Sequence, residues 1–199
     1  DGDRLHQVVL SLGKNIAAII VEPVMRGGDV LPAEKEFLEI LRAITAEHKI
    51  VLIFDESVTG FRGQISGYQG ETGIVPDVTC LAGILGMGFP LAAVCGRKDI
   101  MRYINDIHDS AIADNPVIFQ ASLAGLKSLN ADFYRGLNHR AGSLVNGLNQ
   151  VMTENSWPLR FHRYHAMMSL ERISGGQEKI STAGAVPECP DLEGLPGYL

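Results

Sequence analysis

The sequence predicts an α/β fold with a mostly parallel sheet, and three observations carry the prediction. NIAAIIVEPVM (15–25) is nearly continuous in apolar and β-branched residues, the pattern of a strand covered on both faces. AEKEFLEILRAITAEHK (33–49) repeats its apolar positions at helical spacing. IVLIFDE (50–56) is a second apolar run, closed by two carboxylates. Strand, helix and strand in this order form a parallel unit, whose functional side chains are expected at the carboxyl end of the strands.

Each element follows from local chemistry. Glu22 and Pro23 are expected to end the first strand, and RGGDVLP (26–32) reads as a loop. In the helix, Phe37, Leu41 and Ile44 recur at i, i+4 and i+7, while Glu34 and Glu36 suit the positive end of the helix dipole. GQISGYQGETGIVPD (63–77) reads as a flexible glycine-rich loop. VTCLA (78–82) and FPLAAVCG (89–96) read as two short strands, and RKDIMRYIND (97–106) as a short helix. Two helices are expected between Pro116 and Met152, broken near Asn130, with Phe119 facing the core. Beyond about residue 173 the glycine and proline content predicts little regular structure and possible disorder. The domain organisation expected is residues 1–150 as the main unit and 151–199 as a C-terminal remnant.

Composition excludes several function classes. Of 199 residues, 46% are hydrophobic, enough for one sizeable core. A net charge of −6 lacks the clustered cations that nucleic acid or an anionic membrane surface requires. No apolar run approaches the ~18 residues that span a bilayer. The opening DGDRLHQVVLSLGKN lacks the basic flank and apolar centre of a signal peptide, so a cytoplasmic location is the expectation. Cys80, Cys95 and Cys189 are odd in number and form no C-x-x-C, which suggests neither a disulfide framework nor a thiolate metal site.

The candidate chemistry is sparse. Asp55 and Glu56 close an apolar strand where ligand sites are usually built, but neighbours on a strand point to opposite faces and should not share one substrate atom. His162 and His165 would share a face if FHRYH were helical; no further ligand lies near in sequence, and no metal is assigned. SGYQG (66–70) lacks the serine-elbow pattern. In CLAGILGMGFP (80–90), Gly83, Gly86 and Gly88 are spaced G-x-x-G-x-G, the reverse of the dinucleotide fingerprint.

Taken together, IIVEPV, VLIFDESVTGFR, PDVTCLAGILGMGFPLAAVCGRKDIM and NPVIFQASLAGLKSL, in this order and at these separations, resemble the second half of the large domain of class III pyridoxal-phosphate aminotransferases, nearest to their glutamate-1-semialdehyde aminomutase branch. The resemblance covers about residues 16–150. It implies a partial large domain of the fold-type I scaffold, a homodimer, pyridoxal phosphate as cofactor, and a small amino acid or amino ketone as substrate.

It also assigns roles by position. Asp55 matches the aspartate that keeps the pyridine nitrogen protonated. The lysine that carries the cofactor as an imine aligns with Gly83, so no catalytic residue is assigned; the nearest lysines are Lys49 and Lys98, and Lys98 already matches the region after the family's "GGR". Ser57, followed by Val58, stands where the family packs a branched apolar residue against the ring. Ala111 stands where a threonine helps bind the phosphate across the dimer interface. The cofactor-facing set implied is Asp55, Ser57, Val58 and Ala111. Glu22, Pro23, Glu56, Gly60, Arg62, Pro90, Gly96 and Arg97 also match, as the needs of a sheet edge and its turns. Asp55 is expected to be a buried carboxylate. Two readings follow: an aminotransferase or aminomutase-like protein impaired in turnover, and a non-catalytic relative serving as a binding or dimerisation scaffold.

Overall fold

The computed structural model describes residues 2–25, 30–103 and 115–173. A four-stranded sheet is built from β1 (Ala18–Val21), β4 (Val51–Glu56), β5 (Val78–Leu81) and β6 (Ala93–Gly96). Strands β1, β4 and β5 run parallel, and β6 returns antiparallel beside β5, giving the order β1-β4-β5-β6. The connection from β1 to β4 carries a small β2 (Val24–Met25) and β3 (Leu31–Pro32) pair and the helix α2 (Lys35–Glu47).

Alternation along β4 decides the layers. Leu52, Phe54 and Glu56 are buried, while Val51, Ile53 and Asp55 are half-exposed. The first set meets Leu38 and Leu41 of α2, with Val24, Tyr68 and Met167 completing the core. A helix α1 (Gly2–Leu12), which sequence reading left without an assignment, adds a second cluster of Val9, Ile44 and Ile50. The other sheet face leaves Ile20 and Val94 62% and 49% exposed, so a strand read as covered on both faces is covered on one.

Asp77, just before β5, locks the amino end of the sheet. It accepts a 2.8 Å hydrogen bond from the Leu52 amide and pairs with Arg42 at 3.0 Å and Arg97 at 2.9 Å. Burial works to raise its pKa; the Leu52 amide and the Arg97 and Arg42 guanidiniums outweigh it and hold the carboxyl below its ordinary value.

The C-terminal part follows the expected two helices, α5 (Pro116–Ser128) and α6 (Ala131–Glu154), each capped by an asparagine side chain, Asn115 and Asn130. On α5 the buried residues are Ile118 and Ser122, and Phe119 is 49% exposed, against the expectation that it faces the core. After α6 comes a hairpin, β7 (Leu159–Tyr164) and β8 (Met167–Arg172). His162 therefore lies on a strand and His165 in the turn, not on one helical face. Residues 63–77, read as a loop, contain α3 (Gly67–Thr72), and the helix read in 97–106 is α4 (Lys98–Met101). The part of that reading beyond Tyr103, and the tail after Ile173, lie outside the described residues.

Candidate functional site at the carboxyl end of β4 and β5

The site begins with the register of two strands. Asp55 of β4 pairs with Cys80 of β5, and Cys80 with Val94 of β6, so their side chains form one row on the open face of the sheet. Glu56, Leu81 and Ala93 form the next row, on the opposite face.

Asp55 is half-exposed, which corrects the expectation of a buried carboxylate; the buried one is Glu56, with 0% exposure. The alternation that puts Phe54 on the other row from Asp55 is the cause. Asp55 Oδ1 accepts the Ser57 N–H at 3.0 Å, which fixes the first residue of the turn after β4. Gly60 N–H donates to the Glu56 carbonyl at 2.8 Å, and Arg62 Nε to the Val58 carbonyl at 2.6 Å. Gly60 has no room for a Cβ, which would lie 2.7 Å from the Glu56 oxygen. Ser57 and Val58 thus sit in a turn held by Asp55, Gly60 and Arg62.

Glu56 serves the opposite side. It accepts the Tyr68 N–H at 2.8 Å and so anchors the start of α3, where Gly67 has φ +64 and a Cβ would come within 2.6 Å of Glu56 Oε2. Burial pushes its pKa up against the lowering effect of these hydrogen bonds.

Gly83 opens a 3₁₀ turn, Gly83–Gly86, at the carboxyl end of β5. It is exposed, with φ +52, and a Cβ placed there would lie 3.3 Å from the Ser57 carbonyl oxygen. The structure therefore brings Asp55, Ser57, Val58 and Gly83 to one sheet edge. Ala111 lies outside the described residues.

Lys49 and Lys98 lie at the other end of the sheet. Lys49 precedes the first residue of β4, and Lys98 follows Gly96, which pairs with Val78, the first residue of β5. A six-residue strand spans roughly 20 Å, so neither lysine belongs to the edge that Gly83 occupies.

Cys80 is the neighbour that sequence reading did not connect with Asp55, because cross-strand register is not written in a single strand. Burial, and then the Asp55 carboxylate, push its thiol pKa up, which keeps it protonated and poorly nucleophilic.

His165 has a different partner set. Its Nε2 lies 2.8 Å from Glu71 Oε2, its Nδ1 lies 3.3 Å from Asn138 Nδ2, and Tyr164 donates to the same Glu71 oxygen at 2.5 Å. Among the described residues no group of three or more His, Cys, Asp or Glu gathers as a metal site, and no helix is long and apolar enough to cross a membrane.

These residues fit one end of a pyridine cofactor. The Asp55 carboxylate suits a protonated ring nitrogen, whereas position 83 offers no amine for a covalent tether. Comparison with known proteins agrees with the fold that displays them. The sequence model of the family "Aminotransferase class-III" matches residues 3–185. The chain is 35% identical over 187 residues to glutamate-1-semialdehyde 2,1-aminomutase 2 of Bacillus licheniformis, covering 92% of this chain and 43% of that protein. It is 39% identical over 172 residues to the aminomutase of Desulfotalea psychrophila, covering 84% and 40%. The chain thus spans less than half the length of these curated relatives.

Among solved structures, an omega-transaminase from Sphaerobacter thermophilus superposes with a TM-score of 0.81 at 28% identity, covering 89% of this chain and 42% of that one. A lysine-to-alanine variant of a glutamate-1-semialdehyde aminomutase from Pseudomonas aeruginosa PAO1, in complex with PMP, superposes at 0.73 with 25% identity, covering 85% and 40%. With its sheet order, strand-end Asp55 and family match in agreement, this chain belongs to the class III aminotransferases, a pyridoxal-phosphate-dependent family.

Proposed function

We propose that this chain is a glutamate-1-semialdehyde aminomutase-like protein that carries the ring-nitrogen side of a pyridoxal-phosphate site and is impaired in amino-group transfer. The substrate class is a small amino acid or amino ketone. The cofactor supplies an electron sink when bound. Of this chain's residues, Asp55 holds the ring nitrogen's proton and Ser57 and Val58 line the turn beside it.

The observation that carries the reading is Gly83. It occupies the strand end where the family places its lysine, and it has neither an amine for covalent capture nor a base for proton transfer. Loss of a positioned acid–base group alone lowers rates by about 10²–10⁴, and loss of the covalent tether adds to that. The aminomutase variant solved with PMP, which lacks a lysine, supports non-covalent retention of the cofactor as compatible with this scaffold.

The test is transfer of an amino group from an amino acid or amino ketone to pyridoxal phosphate, followed by absorbance and product analysis. A rate at least about 10²-fold below that of a lysine-bearing relative is expected; a comparable rate would refute impairment.

The scaffold reading rests on a separate observation. Ile20 and Val94 on the open sheet face, and Val117, Phe119 and Leu123 on α5, are all 47–62% exposed. Unpartnered apolar surface of this kind favours association, and the family's homodimer is the partner proposed. Sedimentation at several concentrations tests it: a dimer is expected, and a monomer throughout the range would refute retention of that interface.

A further inference from the structure

We propose that Glu56, Thr59 and Gln64 hold one ordered water molecule in a cavity between the carboxyl end of β4 and the start of α3, where it ties the turn after β4 to the core. This site lies on the core face of the sheet, opposite Asp55, and stands apart from the cofactor reading above.

The cavity measures about 10 Å³, room for one water and nothing larger. Glu56, Thr59 and Gln64 line it, together with Tyr68 and Tyr164. Both tyrosine hydroxyls are engaged elsewhere: Tyr68 donates to the Ala33 carbonyl at 2.5 Å, and Tyr164 to Glu71 Oε2 at 2.5 Å. Thr59 differs. It is 6% exposed, and its Oγ1 has no hydrogen-bond partner among the described residues. A buried hydroxyl left in this way is costly, and in folded proteins such groups are satisfied by protein or by ordered water.

Glu56 has the matching capacity. A carboxylate has about four acceptor sites; the Tyr68 N–H takes one at 2.8 Å, and Gln69 Nε2 reaches the other oxygen only at 3.5 Å. Gln64 Nε2 donates to the Gly67 carbonyl at 3.1 Å, which leaves its amide oxygen as an acceptor. A water among these three accepts the Thr59 O–H and donates to Glu56 and Gln64, within the range of about two to four partners that a buried water requires. It also suits either state of Glu56, whose pKa burial pushes up: it donates to the carboxylate and accepts from the acid. A calcium ion takes about six to eight oxygen ligands, more than these side chains supply. Thr59 immediately precedes Gly60, whose N–H donates to the Glu56 carbonyl at 2.8 Å. The water thus adds a second tie from Glu56 to the turn that carries Ser57 and Val58.

A crystal structure of the whole chain, at a resolution that shows ordered water, is expected to place one density peak within hydrogen-bond distance of both Thr59 Oγ1 and a Glu56 oxygen. An empty cavity, or a Thr59 hydroxyl bonded directly to protein, would overturn the proposal. So would an anomalous peak at this position after soaking in rubidium chloride, which would assign a monovalent cation instead. Urea denaturation of Thr59→Val tests the same point in solution. Valine keeps the shape and deletes the hydroxyl, so a water-linked Thr59 predicts a folding equilibrium constant lower by about fivefold. A hydroxyl without a partner predicts an equal or higher constant, and that result would overturn the proposal as well.

Discussion

Asp55 and Glu56 are adjacent in sequence and opposite in role: Asp55 is half-exposed on the open face and orders the Ser57 amide, while Glu56 is fully buried on the core face and orders the Tyr68 amide. One residue of strand pleat separates a carboxylate on the open face of the sheet from one buried in the core. Their substitutions should separate in the same way. Asp55→Ala should leave the unfolding free energy within about 0.5 kcal/mol of the parent while removing cofactor binding. Glu56→Ala should cost about 1–3 kcal/mol by leaving the Tyr68 N–H buried without an acceptor. Chemical denaturation of both variants measures the difference.

The Glu56 environment also sets a pH dependence. Because burial raises its folded pKa above the unfolded value, its contribution to stability is fully present below the unfolded pKa and is lost as pH rises through the folded one. Glu56→Gln keeps an acceptor for Tyr68 and removes the titration. The variant should gain stability relative to the parent as pH rises from 4 towards neutrality, read from denaturation midpoints across that range.

Asp77 has the opposite sign. Its folded pKa is held down, so its contribution is present above the unfolded carboxylate pKa and is lost as pH falls through the folded value. Asp77→Ala leaves the buried Leu52 amide without its acceptor and should cost about 1–3 kcal/mol at neutral pH. The deficit should shrink in acid, where the parent carboxylate is protonated as well; urea titrations at two pH values test this.

Gly83 makes a further stability prediction. At φ +52 an L side chain is strained, and Gly83→Ala should destabilise by about 1 kcal/mol. Thermal unfolding of the variant checks it, and an unchanged midpoint would show that the turn adjusts.

The parallel core was legible in the sequence because apolar continuity at 15–25 and 50–56, and the 3.6-residue period at 33–49, are local signals. What was not legible depends on contacts distant in sequence. Residues 67–72 form a helix in a glycine-rich segment because Glu56 accepts the Tyr68 amide in its first turn and tolerates only glycine at position 67. His165 lies in a hairpin turn because Glu71 and Asn138, from two other helices, hold its ring. The choice of Asp55 as the buried carboxylate failed for a similar reason: alternation separates the two acids, and only packing against α2 and Tyr68 says which of them faces inwards. The alignment of Gly83 with the family's lysine rests on the motif alone; the structure adds that a Cβ there would lie 3.3 Å from the Ser57 carbonyl oxygen.

Gly83 offers no amine, and Lys49 and Lys98 lie at the far end of the sheet, from which we propose that this chain does not capture the cofactor covalently. Incubation with pyridoxal 5′-phosphate, reduction with borohydride and intact-mass measurement test it most directly. The account predicts the unmodified mass, with any bound cofactor removed by denaturation. A stoichiometric increase of one reduced cofactor, mapped to a single lysine, would contradict it.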